Sequence, residues 1–314
     1  MRKRLKISVE EFAALFQQLG PAATAQHLGI SVRGIYTKRR RAEQKLSITL
    51  TGPRGLPGAY EPRLHAEMKD GTVLVGSDVH IWPGARTTGQ RAFVAFCKAY
   101  KPKLVVMNGD VIDASAISRH PPIQWESAPE VQEEIAAAQD FLHDVEMAVG
   151  KVRKIWNLGN HDARFETFLA THAPRFKGVK GIHLKDHFPN WEPAWSCDIG
   201  GPSGVIVKHR FKGGIHATHN NALWSGRSMI TGHLHSLKVT PFTDYNGTRY
   251  GVDCGTLAVP TGPQFSYCED NPLNWRSGFV LLTWIRGELL MPELVIVNDE
   301  ERGIVQFRGS LIFV

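Results

Sequence analysis

The stretch Ile155-Trp-Asn-Leu-Gly-Asn-His-Asp162 joins an apolar run to three polar residues of the kinds that bind metal ions and move protons. The apolar run is typical of a buried β-strand, so the polar residues fall at the end of that strand. An Asn amide oxygen is an unusual metal ligand, useful where another full negative charge would over-neutralise a site. We therefore expect Asn160, His161 and Asp162 to take part in chemistry.

Four further groups of candidate ligands lie along the chain, two before this stretch and two after it. They are Asp78-Val-His80, Gly109-Asp110-Val-Ile-Asp113, the lone His209, and Gly232-His233-Leu-His235. Most follow apolar runs of the strand type, and strand ends in an α/β sheet converge at its carboxyl edge. Each histidine alone is more often a hydrogen-bonded structural residue. Together the groups predict a site for two divalent cations, with Asp110 placed to bridge them.

The order of patterns along residues 71–314 predicts an α/β catalytic domain. Strands are expected at 72–76, 103–108 and 152–157, each followed by a helical pattern, at 88–100, 129–149 and 163–171. Short β segments dominate the last eighty residues, and further strands end near His209 and Gly232. This pattern favours two packed sheets flanked by helices.

Residues 1–45 form a separate basic module in this reading. Ser8-Val-Glu-Glu11 is a capping box, Gly20-Pro21 ends the first helix, and Ser31 caps a third helix after the turn at Gly29. The segment resembles the helix-turn-helix of bacterial and phage regulators, whose second helix enters the major groove. The expected nucleic-acid contacts are Arg33, Tyr36, Lys38, Arg39, Arg40 and Arg41. Residues 46–70, rich in Gly and Pro, are expected to be a linker.

The charge supports a nucleic-acid partner for this module. Residues 1–50 contain ten Lys and Arg and three Glu, so they carry the whole +7 net charge of the 314-residue chain. A solvated basic tail is the simpler alternative. No apolar run is long enough for a membrane span, and no secretory signal is evident. With four scattered cysteines and no CxxC pair, we expect a cytoplasmic protein. The resemblance to bacterial and phage regulators implies that the cell is a bacterium or a phage-infected host.

The ordered groups resemble those of the calcineurin-like metallophosphoesterases from about residue 72 to 260. Within that superfamily the chain is similar to phage-encoded members with a GNHDxR motif, here Gly159 to Arg164. The resemblance implies a four-layered αββα sandwich with a dimetal centre. One cation would bind Asp78, His80, Asp110 and His235, and the other Asp110, Asn160, His209 and His233. His161 would act beside the scissile phosphate, oriented by Asp162, and Asp113 would hydrogen-bond a ligand histidine.

Some assignments stay open at this point. His216 could replace His209 as a ligand; otherwise His216 and His219 would shape the pocket or bind substrate. Arg164 could reach a second phosphate or a flanking nucleotide, or form a salt bridge to the helix of the 130s. Trp82, Arg86, Trp125, Trp224 and Arg227 are further candidates for contacts with bases and phosphates. Mixed nitrogen and oxygen ligands suit Mn, Fe, Zn or Co; we expect manganese, with Ni and Mg as further options.

The predicted activity is hydrolysis of phosphodiester bonds in nucleic acid, DNA in particular, by attack of a metal-bridging hydroxide. Two cations and two carboxylates leave a net charge of +2, which suits a hydroxide and a phosphate oxygen. One alternative is a phosphomonoesterase or small-nucleotide phosphatase that the N-terminal module localises to DNA. Another is a DNA-binding regulator with a degenerate enzyme domain. The sequence does not fix the oligomeric state, and a homodimer is one option.

Overall fold

The computed structural model describes residues 7–48, 50, 60–119 and 128–314. The chain divides into two compact units, Met1–Tyr60 and Glu61–Val314. Among the described residues, no helix has both the length and the apolar character needed to cross a membrane.

The N-terminal unit contains two helices, α1 (Val9–Leu28) and α2 (Val32–Leu46). The expected capping box is present, because Glu11 N donates to Ser8 Oγ and Ser8 N donates to the Glu11 carboxylate. The backbone leaves the helical conformation at Gly20 (φ 73°), so α1 is interrupted where Gly20-Pro21 predicted a break. Gly29 ends α1 in the left-handed conformation, and Ser31 caps α2.

A small apolar core holds these helices together. Its fully buried members include Phe16 of α1 and Ile35 of α2, packed with Leu28 and with Leu50 beyond α2. Helix α2 therefore has two faces. The face that carries Ile35 packs against this core, and the opposite face is exposed to solvent.

Within the described residues, the second unit contains fifteen strands and five α-helices, besides four short 3-10 helices. The strands are β1 (Leu64–Ala66), β2 (Gly71–Gly76), β3 (Leu104–Met107), β4 (Arg153–Asn157), β5 (Glu192–Ala194), β6 (Cys197–Ile199), β7 (Val205–Val207), β8 (Ser228–Thr231), β9 (Lys238–Asp244), β10 (Gly247–Asp253), β11 (Gly278–Ile285), β12 (Glu288–Leu289), β13 (Glu293–Asp299), β14 (Ile304–Phe307) and β15 (Ser310–Phe313). The helices are α3 (Thr88–Tyr100), α4 (Val131–Val149), α5 (Asp162–His172), α6 (Leu184–His187) and α7 (Ala217–Ser225).

The strands form two sheets. The larger has the order β15-β14-β13-β11-β2-β3-β4-β5, with β12 paired to β11, and its β2 to β5 strands are parallel. The smaller has the order β1-β6-β7-β8-β10-β9, in which β7, β8 and β10 are parallel neighbours.

The core lies between the two sheets. Alternate residues of β2 and β3 (Val73, Val75, Leu104 and Val106) belong to the same buried cluster as the residues of β6, β7, β8 and β10. On its other face the large sheet contacts α3, where Phe96 packs edge-on against Phe279. Helix α7 packs on the smaller sheet. The arrangement is the αββα sandwich that the sequence predicted.

One boundary differs from the expected linker of residues 46–70. Leu64–Ala66 forms β1 and pairs in parallel with Cys197–Ile199, so this part of the segment belongs to the smaller sheet. Three residues are too few to show a strand periodicity, which is why the sequence did not reveal β1. Residues 49 and 51–59 lie outside the described residues.

Candidate metal centre

The candidate ligands gather where five strands end. Asp78 and His80 follow β2, Asp110 follows β3, and Asn160 and His161 follow β4 in the larger sheet. From the smaller sheet, His209 follows β7, while His233 and His235 follow β8. The parallel strands of each sheet point their carboxyl ends to the same edge, so both sheets contribute to one site.

Hydrogen bonds beyond the strand ends fix the loops that carry these residues. Asp78 N donates to Gly109 O and His80 N to Asp110 O, both at 2.9 Å, so the β2 and β3 loops stay paired. His233 N donates to the Asp78 carboxylate at 2.9 Å to Oδ2, which joins the two sheets at the site. The ligand positions are thus held by backbone contacts.

Five candidate ligands have left-handed backbone conformations that side chains rarely adopt. They are Asp78 (φ 52°), His80 (φ 39°), Asp110 (φ 51°), His233 (φ 70°) and His235 (φ 54°). Such residues cost about 1–3 kcal/mol each and cluster at functional sites. The concentration of this strain at one place is independent support for a site there.

Glycines allow the loops to approach each other closely. A Cβ at Gly109 would overlap the His209 ring, one at Gly159 would overlap Asp110, and one at Gly232 would overlap Asp78. The glycines of the three sequence groups therefore make room for the ligand side chains of neighbouring groups.

The side chains form three overlapping clusters, each with ligand atoms within 4.8 Å of one another. Asp78, His80 and His235 form the first; Asp110, His209 and His233 form the second. The third, which consists of His80, Asp110 and His161, lies between them. The first contains three of the four residues that the resemblance implies for one cation, and the second contains three of the four for the other. The second includes His209, whereas His216 is in none of the three clusters.

The donor atoms fit bound cations. His80 Nε2 and Asn160 Oδ1 are buried without a hydrogen-bond partner, which is costly unless a cation accepts their lone pairs. His209 Nε2 is also buried and lies 3.0 Å from Asp110 Oδ2, the carboxylate that would share a cation with it. His80 Nδ1 lies 2.7 Å from Asp113 Oδ1, and His209 Nδ1 lies 2.8 Å from Asn108 O. These contacts place the ring proton on Nδ1 and leave Nε2 free as a ligand.

The carboxylates and imidazoles of the site shift one another's pKa values. Burial lowers the pKa of His80, but the neighbouring carboxylates of Asp113 and Asp78 raise it overall to about 10. Burial likewise lowers the pKa of His209, while the charges of Asp110 and Asp78 raise it to about 9. Burial raises the pKa of the Asp110 carboxyl, but His209, His161 and His80 together hold it well below its usual range. Without a cation, protons on imidazoles compensate the carboxylates.

Asp113 contacts two functional histidines. Its Oδ1 lies 2.7 Å from His80 Nδ1 and 2.9 Å from His161 Nδ1. Arg164 donates to Asp113 O at 2.9 Å, and its Nη2 lies 3.2 Å from His161 Nε2. Arg164 therefore belongs to the site, and the salt bridge to the helix of the 130s that the sequence left open is not formed.

Asp162 does not orient His161, and that prediction is wrong. Its buried carboxylate accepts hydrogen bonds from the backbone N–H groups of Asp110, Val111, Ile112 and Gly159, and from Trp156 Nε1. Burial and the charge of Asp110 raise the pKa of Asp162 to about 6 against these bonds. Asp162 thus holds the β3 and β4 loops together, and Asp113 takes the role of orienting His161.

The other candidates are placed as follows. His216 is exposed at the start of α7, and the His219 ring packs edge-on against Phe242, so both lie outside the three clusters. Arg227 forms a bidentate ion pair with Asp198 at 2.7 Å, which occupies its guanidinium. Arg86 lies 3.6 Å from Asp144 and over the Phe141 ring. Trp125 lies outside the described residues.

Most of the expected nucleic-acid contacts on α2 are exposed. These residues are Arg33, Tyr36, Lys38, Arg40 and Arg41. Arg39 differs, because its Nε donates to Glu43 at 2.9 Å and its guanidinium lies 5.6 Å from the Phe16 ring centroid. Glu43 also accepts from Leu50 N, so Arg39 stabilises the N-terminal unit.

The sequence did not point to four residues that support the site. Phe265 packs edge-on against His80, and Trp275 packs against His235 at 4.4 Å between ring centroids. Tyr267, which contacts Phe265, is half-exposed beside them. Glu134 of α4 accepts hydrogen bonds from the backbone N–H groups of residues 113–115. The sequence signal that could have identified the first three is the presence of three aromatic residues within residues 265–275.

This fold and this site define a class of enzyme. The sequence model of the calcineurin-like phosphoesterases matches residues 71–249, and the chain belongs to that family. It is therefore a metal-dependent phosphoesterase, a hydrolase that acts on ester bonds.

Three solved structures are similar over most of the chain. Vps29 from Entamoeba histolytica, complexed with Zn²⁺, is 16% identical, covers 77% of this chain and 98% of its own, and has a TM-score of 0.41. Yfce, a phosphoesterase from E. coli, is 12% identical with coverages of 77% and 98% and a TM-score of 0.36. The Pseudomonas putida nuclease MPE is 13% identical with coverages of 70% and 86% and a TM-score of 0.31. A comparison with curated protein sequences finds no match.

Proposed function

We propose that this protein is a dimetal phosphodiesterase that cleaves nucleic acid, with DNA as its preferred substrate. Two observations support this proposal. One is a site with two sets of candidate metal ligands, and the other is a basic helical unit in the same chain. The four cysteines are all free thiols, which supports a reducing, cytoplasmic setting.

The two cations would be held by the ligand sets already described. Asp78, His80, Asp110 and His235 would hold one, and Asp110, Asn160, His209 and His233 the other. When bound, such a pair of cations activates water and neutralises charge on a phosphate in an in-line displacement. Manganese is the proposed metal; mixed nitrogen and oxygen ligands of this kind also suit Fe, Zn or Co.

The remaining residues would position and protonate the substrate. With Nδ1 directed at Asp113, His161 turns Nε2 toward Arg164 Nη2 at 3.2 Å. When a phosphate takes Arg164 as its partner, Nε2 would be the atom that donates a hydrogen bond or a proton to the leaving oxygen. Arg164 would bring its positive charge to a phosphate beside this imidazole. The buried contacts of Asp113 keep both groups in place.

The single observation that carries the nucleic-acid substrate is the exposed basic face of α2. Arg33, Tyr36 and Arg40 are spaced by three and four residues, so they share one face of the helix, and all three are exposed. Summed over residues 51–314, basic and acidic residues are equal in number, so the net charge of the chain comes from residues 1–50. A helix of this kind provides phosphate contacts and affinity for duplex DNA.

The test is cleavage of defined DNA and RNA substrates by the full chain with Mn²⁺. We expect wild-type protein to cleave DNA, and the double variant Arg33→Glu/Arg40→Glu to raise KM at least about tenfold, since it reverses two phosphate contacts. Lys98→Glu/Lys151→Glu makes the same change in charge at exposed sites of the catalytic unit and should have little effect.

Two results would contradict the proposal. One is a wild-type protein that cleaves neither DNA nor RNA. The other is rapid hydrolysis of p-nitrophenyl phosphate, a monoester, with no hydrolysis of the diester bis(p-nitrophenyl) phosphate. That result would favour the alternative of a phosphomonoesterase or small-nucleotide phosphatase localised to DNA.

A further inference from the structure

A second positively charged region lies in the catalytic unit, in the same segment of the chain as three candidate metal ligands. From Ile199 to Thr243 the chain has five Lys and Arg and no Asp or Glu, although His209, His233 and His235 fall in this segment. Of the five, Arg227 is neutralised by Asp198, and Lys238 donates to Ile215 O at 2.9 Å. Lys208, Arg210 and Lys212 form no ion pair with a carboxylate of the described residues.

Two exposed aromatic rings accompany these cations. Lys212 Nζ lies 5.4 Å from the Phe211 ring centroid and 4.9 Å from that of Trp224, so one ammonium contacts both rings. Lys208 Nζ lies 5.8 Å from the Phe211 centroid. The exposed fraction is 43% for Phe211 and 69% for Trp224. Large exposed rings grouped with unpaired cations are typical of a binding surface.

This surface continues into the candidate metal centre. A pocket of about 150 Å³ is lined by residues 210–213 on one side and by Gly232, His233 and Leu234 on the other. His233 belongs to the second ligand cluster. A molecule bound along Phe211 and Lys212 would therefore extend directly to the reacting phosphate.

The loop that presents Phe211 and Lys212 is fixed in place. Lys212 N donates to Asn221 Oδ1 of α7 at 3.0 Å, and Lys238 holds the Ile215 carbonyl from β9. Asn221 is fully buried and also donates to Thr231 at the end of β8. The backbone that carries Phe211 and Lys212 thus needs little reordering to bind a ligand, which preserves affinity.

We propose that Phe211, Lys212 and Trp224 form a platform for single-stranded nucleic acid that leads the strand to the metal centre. Unpaired bases expose the faces that stack on aromatic rings, and the backbone phosphates match the cations of Lys208, Arg210 and Lys212. A duplex would use the cations alone, because its base faces are covered by neighbouring base pairs. The inference rests on the proposed nuclease function and specifies its substrate as an unpaired strand.

The test compares single-stranded and duplex oligonucleotides of the same sequence with the Mn²⁺-loaded full chain. Phe211→Ala/Trp224→Ala should raise KM for the single strand about fivefold to a hundredfold, as expected for the loss of base stacking. In the same variant, the preference for the single strand over the duplex should become smaller. The matched control is Phe176→Ala/Tyr245→Ala, which removes two other exposed rings and should change neither value.

A second variant tests the cation separately from the rings. Lys212→Gln should flatten the dependence of log KM on log salt by about 0.7 for a single strand, the value for one phosphate contact. Hydrolysis of bis(p-nitrophenyl) phosphate, measured in parallel, reports on folding and on the metal centre. We expect the ratio of oligonucleotide cleavage to this hydrolysis to fall in both variants.

The outcomes separate the two proposals. A wild-type protein that cleaves no nucleic acid overturns the proposed function and this inference with it. If wild-type protein cleaves single strands and the ring variant does so with unchanged KM, only the platform is overturned. A wild-type preference for duplex also overturns the platform and leaves the nuclease function standing.

Discussion

At the scale of single residues, the site depends on side chains that each serve two neighbours. Asp113 is the clearest case, because one carboxylate oxygen contacts both His80 and His161. The sequence predicted a contact with a ligand histidine but not the second contact, since spacing along the chain does not show which loop faces Asp113. The structure therefore links a candidate metal ligand and the proposed proton donor through a single side chain.

Asp113→Asn should impair both functions. An amide cannot fix the same Nδ1 proton on both imidazoles, so we expect about a 10–100-fold loss in activity or metal affinity. Hydrolysis of bis(p-nitrophenyl) phosphate across a range of Mn²⁺ concentrations separates kcat from the metal requirement. Asp140→Asn removes an exposed carboxylate of α4 and should behave as wild type. Equal activity of the two variants would refute this role for Asp113.

Metal binding should release protons. The pKa values of His80 and His209 are raised to about 10 and about 9, so both rings are protonated at pH 7 when no cation is bound. Because a cation needs neutral imidazoles, we expect release of about two protons per chain and affinity that rises with pH. Calorimetry at pH 7 in buffers of different ionisation enthalpy measures this release. The exposed His143→Asn variant should release the same number.

The same shifts set the pH dependence of the metal-free fold. A histidine whose pKa is higher in the folded than in the unfolded protein binds its proton more tightly in the folded state and so stabilises the fold. This stabilisation is complete at pH values below 6.5, the pKa of the unfolded state, and is lost as pH rises through about 9 to 10. The melting temperature of metal-free protein should therefore fall from pH 7 to pH 10. A melting temperature that rises over this range would show that these histidines are neutral in the fold.

At the scale of elements, the site is assembled by loops that join parallel strands. The long apolar strands and the helices α3 and α4 were predictable, because their periodicity is strong and each buries a continuous face. Strand β9 was not, since Pro241 lies inside it; a Pro is tolerated there because β9 is at the edge of its sheet. Helix α7 has too little apolar periodicity to be recognised.

Asp162→Asn should separate two of these loops. Its carboxylate accepts five N–H donors from the β3 and β4 loops and Trp156, and an amide would leave some of them without an acceptor. We expect the free energy of unfolding to fall by about 3 kcal/mol, with loss of metal binding. Chemical denaturation measures this, with Asp140→Asn as the control. A stability change equal to that of the control would mean that the loops do not depend on Asp162.

At the scale of the whole molecule, the chain joins a basic helical unit to a balanced catalytic unit. The order of the ligand groups predicted which residues meet, because strand ends of both sheets share one edge. The supports from Glu134, Phe265 and Trp275 were not predictable, since they come from a distant helix and from a loop without periodicity. The aromatic and cationic platform also became recognisable only from the contacts around Lys212.

The most direct test of the dimetal centre is titration of the metal-free protein with Mn²⁺, followed by metal content and by hydrolysis of bis(p-nitrophenyl) phosphate. We predict that two ions bind per chain and that hydrolysis appears only when both are bound, as for two-metal sites. Asp110→Asn, which alters the carboxylate shared by both ligand sets, should abolish hydrolysis. Full hydrolysis without added metal, or with Asp110→Asn, would contradict the account.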